Sequence, residues 1–106
     1  MGKKQIQKAL KIFSERAKKK FNPEQIFLFG SYARGQANEY SDVDLIVISK
    51  IFAEIPQEKR LDVLYDLTKG LRPDFHVYGF TKNELEKASP LTSLSEVKKY
   101  GIPLIS

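Results

Sequence analysis

The chain of 106 residues contains no cysteine, and His76 is its single histidine. The lack of cysteine excludes a disulfide framework, a cysteine nucleophile and a thiolate zinc site, and one histidine excludes a multi-histidine metal site. No apolar run approaches the roughly 20 residues needed to cross a bilayer, and the lysine-containing start lacks the apolar core of a secretion signal. We therefore expect a cytoplasmic protein whose chemistry uses carboxylates, hydroxyls, backbone groups or a hard metal ion.

The length favours one domain, and we assign residues 1–106 to it. The hydrophobic share of 42% and the charged share of 29% are ordinary for a folded protein. The net charge of +5 is unevenly placed, because residues 1–20 hold eight basic residues and one glutamate, leaving −2 for the rest. Such a segment suits nucleic acid or an acidic partner, but a solvated helix face whose lysines complement the helix dipole is favoured.

Apolar spacing and capping residues together predict two longer helices and three short ones. Helical periodicity predicts a helix over residues 3–21 and an amphipathic helix through Leu61–Leu71 that is stopped by Pro73. A short helix is predicted over residues 32–37, after Ser31 as its N-cap. A capping box at Thr81–Glu84 predicts another short helix, and residues 93–100 predict a last one.

Three apolar runs predict strands, at residues 26–29, 43–48 and 75–80. Residues 51–56 are predicted to be a surface connection. Because helices alternate with strands, we expect an α/β (α+β) fold in which a small mixed sheet of three or more strands is covered by helices.

A glycine–serine pair, Gly30-Ser31, follows the first predicted strand at a strand-to-helix turn. Glycine lets the backbone approach a ligand closely, and unpaired N–H groups at such a turn attract anions such as phosphate. Many turns of this kind bind nothing, so the pair by itself is a weak signal of a phosphate site.

Two aspartates, Asp42 and Asp44, stand two residues apart at the start of the second predicted strand. Side chains alternate along a strand, so both carboxylates are expected on one face. Mg²⁺ prefers carboxylate oxygens together with substrate phosphates. Asp74 opens the third predicted strand, and if that strand neighbours the second, three carboxylates converge as in a two-metal phosphoryl-transfer site. Solvated acids at a strand edge, with Asp74 as a turn residue, are the alternative interpretation.

Gly30-Ser31, ten intervening residues and Asp42-Val43-Asp44-Leu45 together resemble the signature of the DNA polymerase beta-like nucleotidyltransferase superfamily. Residues 30–35, 41–45 and 74–77 are similar to its minimal nucleotidyltransferase branch, and the similarity extends over nearly the whole chain. The resemblance implies the nucleotidyltransferase fold.

The resemblance also implies a role for each matched residue. The residues that would hold the nucleoside triphosphate are Gly30, Ser31 and Arg34. The residues that would bind Mg²⁺, as two ions, are Asp42, Asp44 and Asp74. Asp74 would also help to deprotonate the acceptor hydroxyl, and Arg34 would reach a phosphate oxygen or be solvated. His76 is interpreted as a packed or hydrogen-bonded histidine without a catalytic role.

The implied reaction is attack of an acceptor hydroxyl on the α-phosphorus of ATP, with pyrophosphate as the leaving group. In characterised pairs of this family the nucleotidyltransferase is an antitoxin that transfers AMP to a tyrosine of a toxin, and a helical HEPN-type protein is the common partner. A single catalytic unit leaves the acceptor to be held by such a partner. The stretch at residues 100–105 is predicted either to dock it or to fold back on the core as a terminal strand or tail.

Two other functions are open. The chain could be a catalytically idle binding module that neutralises a partner by contact, but the presence of all three acids favours the enzyme. It could instead bind nucleic acid through the basic first helix. That helix lacks the exposed aromatics of a single-strand platform, since Phe13 and Phe21 fall on its apolar stripe.

Overall fold

A computed structural model describes residues 3–33, 35, 42–72, 74–87 and 101–104, with the backbone alone for residues 3–5 and 31. Its helices and strands are, in chain order, α1 (Lys3–Phe21), β1 (Gln25–Phe29), α2 (Gly30–Ala33), β2 (Val43–Ile48), α3 (Gln57–Tyr65), β3 (Phe75–Phe80), α4 (Lys82–Glu86) and β4 (Ile102–Pro103). The strands form one mixed sheet in the order β3-β2-β1-β4. The predicted α/β (α+β) class and the mixed sheet are confirmed.

The central strand β2 is antiparallel to β1 and parallel to β3. Its register pairs Asp44 with Phe29 of β1 and with His76 of β3. A parallel pair needs a crossover connection, and α3 supplies it between β2 and β3. The three predicted strands are therefore confirmed and lie side by side.

The two faces of the sheet differ because side chains alternate along each strand. One face packs under α1 and α3 to form the main core, whose members are Ile6, Phe13, Ala17, Phe21, Ile26, Leu28, Val43, Leu45, Val47, Phe52, Leu64, Leu67 and Val77. The other face holds a smaller cluster built on Phe29, Ile46 and Ile48, with Leu85 of α4 packed against it. By the same alternation Asp44 and His76 lie on this second face.

The first helix confirms the prediction for residues 3–21, and some of its basic residues are used within the fold. Arg16 donates to the carbonyl oxygens of Leu67 and Lys69 at 3.1 and 2.8 Å. Lys20 lies 3.8 Å from an Asp66 carboxylate oxygen. These contacts tie α1 to the 3₁₀ turn at Asp66–Thr68, so part of the basic segment serves packing.

The predicted surface connection at residues 51–56 is confirmed for most of its residues, which are exposed, but it contains a 3₁₀ helix and one buried side chain. A 3₁₀ helix, Lys50–Glu54, begins after Ser49, whose hydroxyl accepts from the Ile51 N–H at 3.3 Å. Phe52 in this helix is fully buried in the main core. A single apolar residue in a five-residue helix produces no periodicity, so the sequence pattern could not reveal the burial.

The predicted helix through Leu61–Leu71 corresponds to α3, which ends earlier than expected, at Tyr65, and is followed by a 3₁₀ turn. The buried face of α3 is also rotated about the helix axis by one residue from the predicted face. Leu61 is 55% exposed, whereas Arg60 and Leu64 are buried. The buried face follows Arg60 because that side chain has internal hydrogen-bond partners, which hydrophobic spacing alone does not reveal.

The short predicted helices agree with the structure to different degrees. α2 begins at Gly30, two residues before its predicted start, and part of the predicted range 32–37 lies outside the described residues. The capping box of α4 is confirmed, with Thr81 Oγ1 accepting from the Glu84 N–H at 3.2 Å.

The predicted helix over residues 93–100 lies outside the described residues. The C-terminal stretch adds a strand to β1, where Leu104 N–H donates to Ile26 O at 2.7 Å.

Arg60 is the polar centre of the core. It is 6% exposed and donates to the carbonyl oxygens of Ile55 at 2.9 Å, Gly79 at 3.1 Å and Phe52. It also forms an ion pair with Glu84 at 2.9 Å. These bonds connect α3, β3 and α4 through one side chain. A buried charge is tolerated only when it is paired and hydrogen-bonded, as it is here.

Replacing Arg60 with leucine should destabilise the fold by about 3 kcal/mol or more, because buried carbonyls and Glu84 would lose their donor. Chemical unfolding at neutral pH measures the loss. Arg72→Leu, the same change at an exposed arginine, is the matched control and should stay within about 0.5 kcal/mol of wild type. Equal stability of the two variants would contradict the role of Arg60.

Stability should also fall in acid through Glu84. Burial alone would raise the pKa of Glu84, but hydrogen bonds from the Thr81 N–H, Arg60 and Gln57 outweigh it and lower the pKa below 4.5. The ionised form therefore stabilises the fold above that value, and this contribution disappears as pH falls through the lower folded pKa. The difference in unfolding free energy between wild type and Glu84→Gln should shrink from neutral pH to below 4.5. A pH-independent difference would contradict this.

Candidate active site

The turn between β1 and α2 lies directly against a carboxylate. Gly30 has a φ of 72°, in the left-handed region that glycine adopts without strain. A Cβ atom on Gly30 would collide with Asp44 Oδ2 and come within 3.2 Å of Asp44 Cγ. Glycine is thus favoured by the backbone conformation, and any larger residue would also require the Asp44 carboxylate to move.

Asp44 is held by the pairing of β2 with both neighbours. Its register partners are Phe29 at the end of β1 and His76 in β3, and its side chain is half-buried. Asp42 precedes β2 by one residue and has a side chain that is 48% exposed. The two acids are two residues apart, so the strand directs both toward the second face of the sheet.

His76 lies beside these acids, although no catalytic role was expected for it from the sequence. Its Nε2 lies 3.0 Å from Asp42 Oδ2. The interpretation of a hydrogen-bonded histidine is therefore confirmed, but its partner is one of the candidate metal ligands. The alternation of β3, with His76 two residues after Asp74, was the signal that could have linked it to the site.

Asp74 lies at the start of the neighbouring strand. Its carbonyl oxygen accepts from the Val43 N–H at 2.9 Å, which places the backbone of Asp74 next to the Asp42–Val43 peptide. Its exposed side chain lines a cleft of 460 Å³ together with His76, Tyr65, Thr68 and Lys69. The second and third strands are neighbours, which was the condition for convergence of the three acids, and the start of β3 lies beside the start of β2.

The donor set fits Mg²⁺ in its chemistry. Asp42 and Asp44 supply hard oxygen ligands from one face, and Mg²⁺ is usually held by one or two carboxylates plus substrate phosphates. Within the residues that the structure describes, no three acidic or histidine side chains form a ready-made metal cluster. The convergence of Asp42, Asp44 and Asp74 on one ion therefore stays a prediction.

The remaining predicted nucleotide-binding residues are only partly described. Ser31 lies in α2, and its backbone alone is described. Arg34 lies outside the described residues. Among the described helices, none has an apolar stretch that would span a bilayer.

Comparison with known families and proteins bears on this arrangement. The family model described as "Nucleotidyltransferase domain" matches residues 6–102. The chain is 33% identical over 96 residues to the protein adenylyltransferase MntA of Thermococcus cleftensis, covering 88% of this chain and 90% of that protein. It is 52% identical over 52 residues to MJ1305 of Methanocaldococcus jannaschii, a candidate protein adenylyltransferase, and this match spans 35% of that protein's length.

Two solved structures share the fold. A candidate nucleotidyltransferase of Sulfolobus solfataricus superposes with a TM-score of 0.62 at 19% identity, covering 97% of this chain and 87% of that one. A toxin–antitoxin crystal structure with AMP-PNP gives a TM-score of 0.63 at 23% identity, covering 100% of this chain and 74% of that one. The two likenesses support the nucleotidyltransferase fold.

Replacing Gly30 with alanine should cost more stability than the same change at Gly35. Both glycines have positive φ, at 72° and 70°, but among the described residues, chain neighbours aside, no atom lies within 4 Å of a Cβ on Gly35. The backbone strain of roughly 1 kcal/mol is therefore shared, and Gly30→Ala adds an overpacking cost of about 1–3 kcal/mol against Asp44. Urea unfolding of the two variants measures the difference. Equal losses would show that the turn does not depend on close contact with Asp44.

Proposed function

This chain belongs to the nucleotidyltransferase domain family, and from that premise we propose that it transfers AMP from ATP to a hydroxyl group of a partner protein. The observation that carries the proposal is the approach of the Gly30 turn to the Asp44 carboxylate. A phosphate-binding backbone and a metal-binding acid must be this close if one nucleotide is to contact both. The likeness to adenylyltransferases over most of the chain supports ATP as the donor.

The turn after β1 is proposed to hold the triphosphate. Gly30 leaves room for phosphate oxygens to approach the backbone, and the N–H groups at Gly30 and Ser31 donate to them. The Ser31 hydroxyl and the Arg34 guanidinium are proposed to add hydrogen bonds to the leaving phosphates. Holding the leaving group in place lowers the barrier by orientation.

The three aspartates are proposed to work at the reacting centre. Asp42, Asp44 and Asp74 would hold Mg²⁺, which when bound stabilises the charge that develops on the attacking and leaving oxygens. Asp74 accepts the proton of the acceptor hydroxyl. The acceptor oxygen then forms a bond to the α-phosphorus while the α–β phosphoanhydride bond breaks, and pyrophosphate leaves with its electron pair.

The acceptor is proposed to enter through the 460 Å³ cleft, because Asp74 and His76 line it from the β3 side. We propose that the acceptor is a tyrosine of a helical HEPN-type toxin and that this chain is its antitoxin. The name of the Thermococcus relative supports a protein acceptor, and the toxin–antitoxin structure supports a toxin as the partner. The tyrosine and the HEPN type of the partner rest on the family resemblance of the sequence. Because the reaction uses ATP, it is assigned to the cytoplasm.

The transfer should be visible as a mass change. With ATP, Mg²⁺ and its proposed HEPN-type partner, the wild-type chain should add about 329 Da to the partner for each AMP transferred. Asp42→Asn and Asp44→Asn should each lower the rate by at least about 100-fold, since metal-ion stabilisation contributes several kcal/mol to the barrier. Intact-mass spectrometry and pyrophosphate release measure both effects.

Asp62→Asn is the matched control, because Asp62 is an exposed acid on α3. It should transfer AMP at the wild-type rate. A partner that binds tightly yet never gains mass with any nucleoside triphosphate would overturn the enzymatic proposal in favour of a contact-only antitoxin. Full activity of Asp44→Asn would overturn the assignment of the metal ligands.

A further inference from the structure

His76 forms a hydrogen bond with Asp42. Its Nε2 lies 3.0 Å from Asp42 Oδ2, and the two side chains are 51% and 48% exposed. Exposed ion pairs contribute little to folding stability. Stabilisation of the fold therefore does not account for this contact.

Asp42 needs an external support for its orientation. Asp44 is fixed by strand pairs on both sides, whereas Asp42 precedes the first residue of β2 and has a half-exposed side chain. A hydrogen bond from the imidazole to Asp42 Oδ2 restricts rotation of the carboxylate, so that Oδ1 can be directed at a metal ion. For the imidazole to donate this bond, its proton must be on Nε2.

We propose that His76 is a positioning residue that orients the Asp42 carboxylate for the metal ion of the nucleotide complex. The register of β3 supports this role, because it places His76 beside Asp44 on the same face of the sheet. Partners that hydrogen-bond to metal ligands commonly set the orientation of those ligands. The inference rests on the proposed function, since it takes Asp42 as a metal ligand.

The test uses Mn²⁺ as the metal probe with AMP-PNP and without an acceptor protein. The imido group of AMP-PNP protects only the β–γ bond, so leaving out the acceptor keeps the α–β bond intact. Free Mn²⁺ is counted by electron paramagnetic resonance against a sample of AMP-PNP without protein, because the nucleotide itself binds Mn²⁺. His76→Leu should weaken Mn²⁺ binding about 10-fold or more, within the range seen when ligand-orienting residues are lost. His76→Gln keeps an N–H donor near the Nε2 position and should recover most of that loss. Melting temperatures without metal should be the same for all variants.

Tyr78→Phe is the matched control. Tyr78 lies on the same face of β3, two residues beyond His76, and its ring contacts Phe29 with centroids 6.2 Å apart. The phenylalanine keeps this ring contact, so Mn²⁺ binding should stay at the wild-type level.

The outcomes separate the inference from the proposed function. If wild type binds Mn²⁺ with AMP-PNP and His76→Leu binds it equally or more tightly, the positioning role is overturned while the proposed function stands. The role is also overturned if His76→Gln is as weak as His76→Leu. If wild type binds no Mn²⁺ with AMP-PNP present, the metal assignment fails and the inference fails with it.

Discussion

The register of the central strand β2 is the constraint on which the rest of the site depends. Val43, Leu45 and Val47 are fully buried in the main core. A slip of one residue would move them to the second face and drive Asp44 into that core, where an unpaired carboxylate is strongly unfavourable. Burial of three apolar side chains therefore holds the acidic residues on the opposite face.

The pairing of β2 with two different neighbours then assembles the site. The antiparallel partner β1 ends at Phe29, so the Gly30 turn comes to lie over Asp44. The parallel partner β3 starts beside β2, so Asp74 and His76 arrive at the same edge. The mixed sheet thus brings together the Gly30 turn, the start of β2 and the start of β3, which are far apart in the chain.

The position of β3 depends in turn on the buried Arg60. Its bonds to Gly79 of β3 and Glu84 of α4 join the far end of that strand to α3. The cost of burying a guanidinium is offset by these bonds and by its ion pair. Arg60 contacts one end of β3, at Gly79, whereas Asp74 and His76 lie at the other end. The strand is therefore held in place away from the candidate active site.

The strands, the first helix and the capping box of α4 were predictable because each rests on local pattern: apolar runs, helical spacing and a cap. The combination of Gly30-Ser31 with Asp42 and Asp44 at this spacing was also recognisable as a motif. The burial of Phe52 and the rotation of α3 toward Arg60 were not. They depend on partners in distant elements, and no periodicity in a few residues encodes them.

By itself the sequence determined which residues carry charge, where the three longer strands and the first helix lie, and which family the motif resembles, because these are properties of short segments. Only the tertiary structure decided that Gly30 contacts Asp44 and that His76 contacts Asp42. Those contacts join residues 14 and 34 positions apart. They follow from strand order and register, which the burial of the whole core selects rather than any local preference.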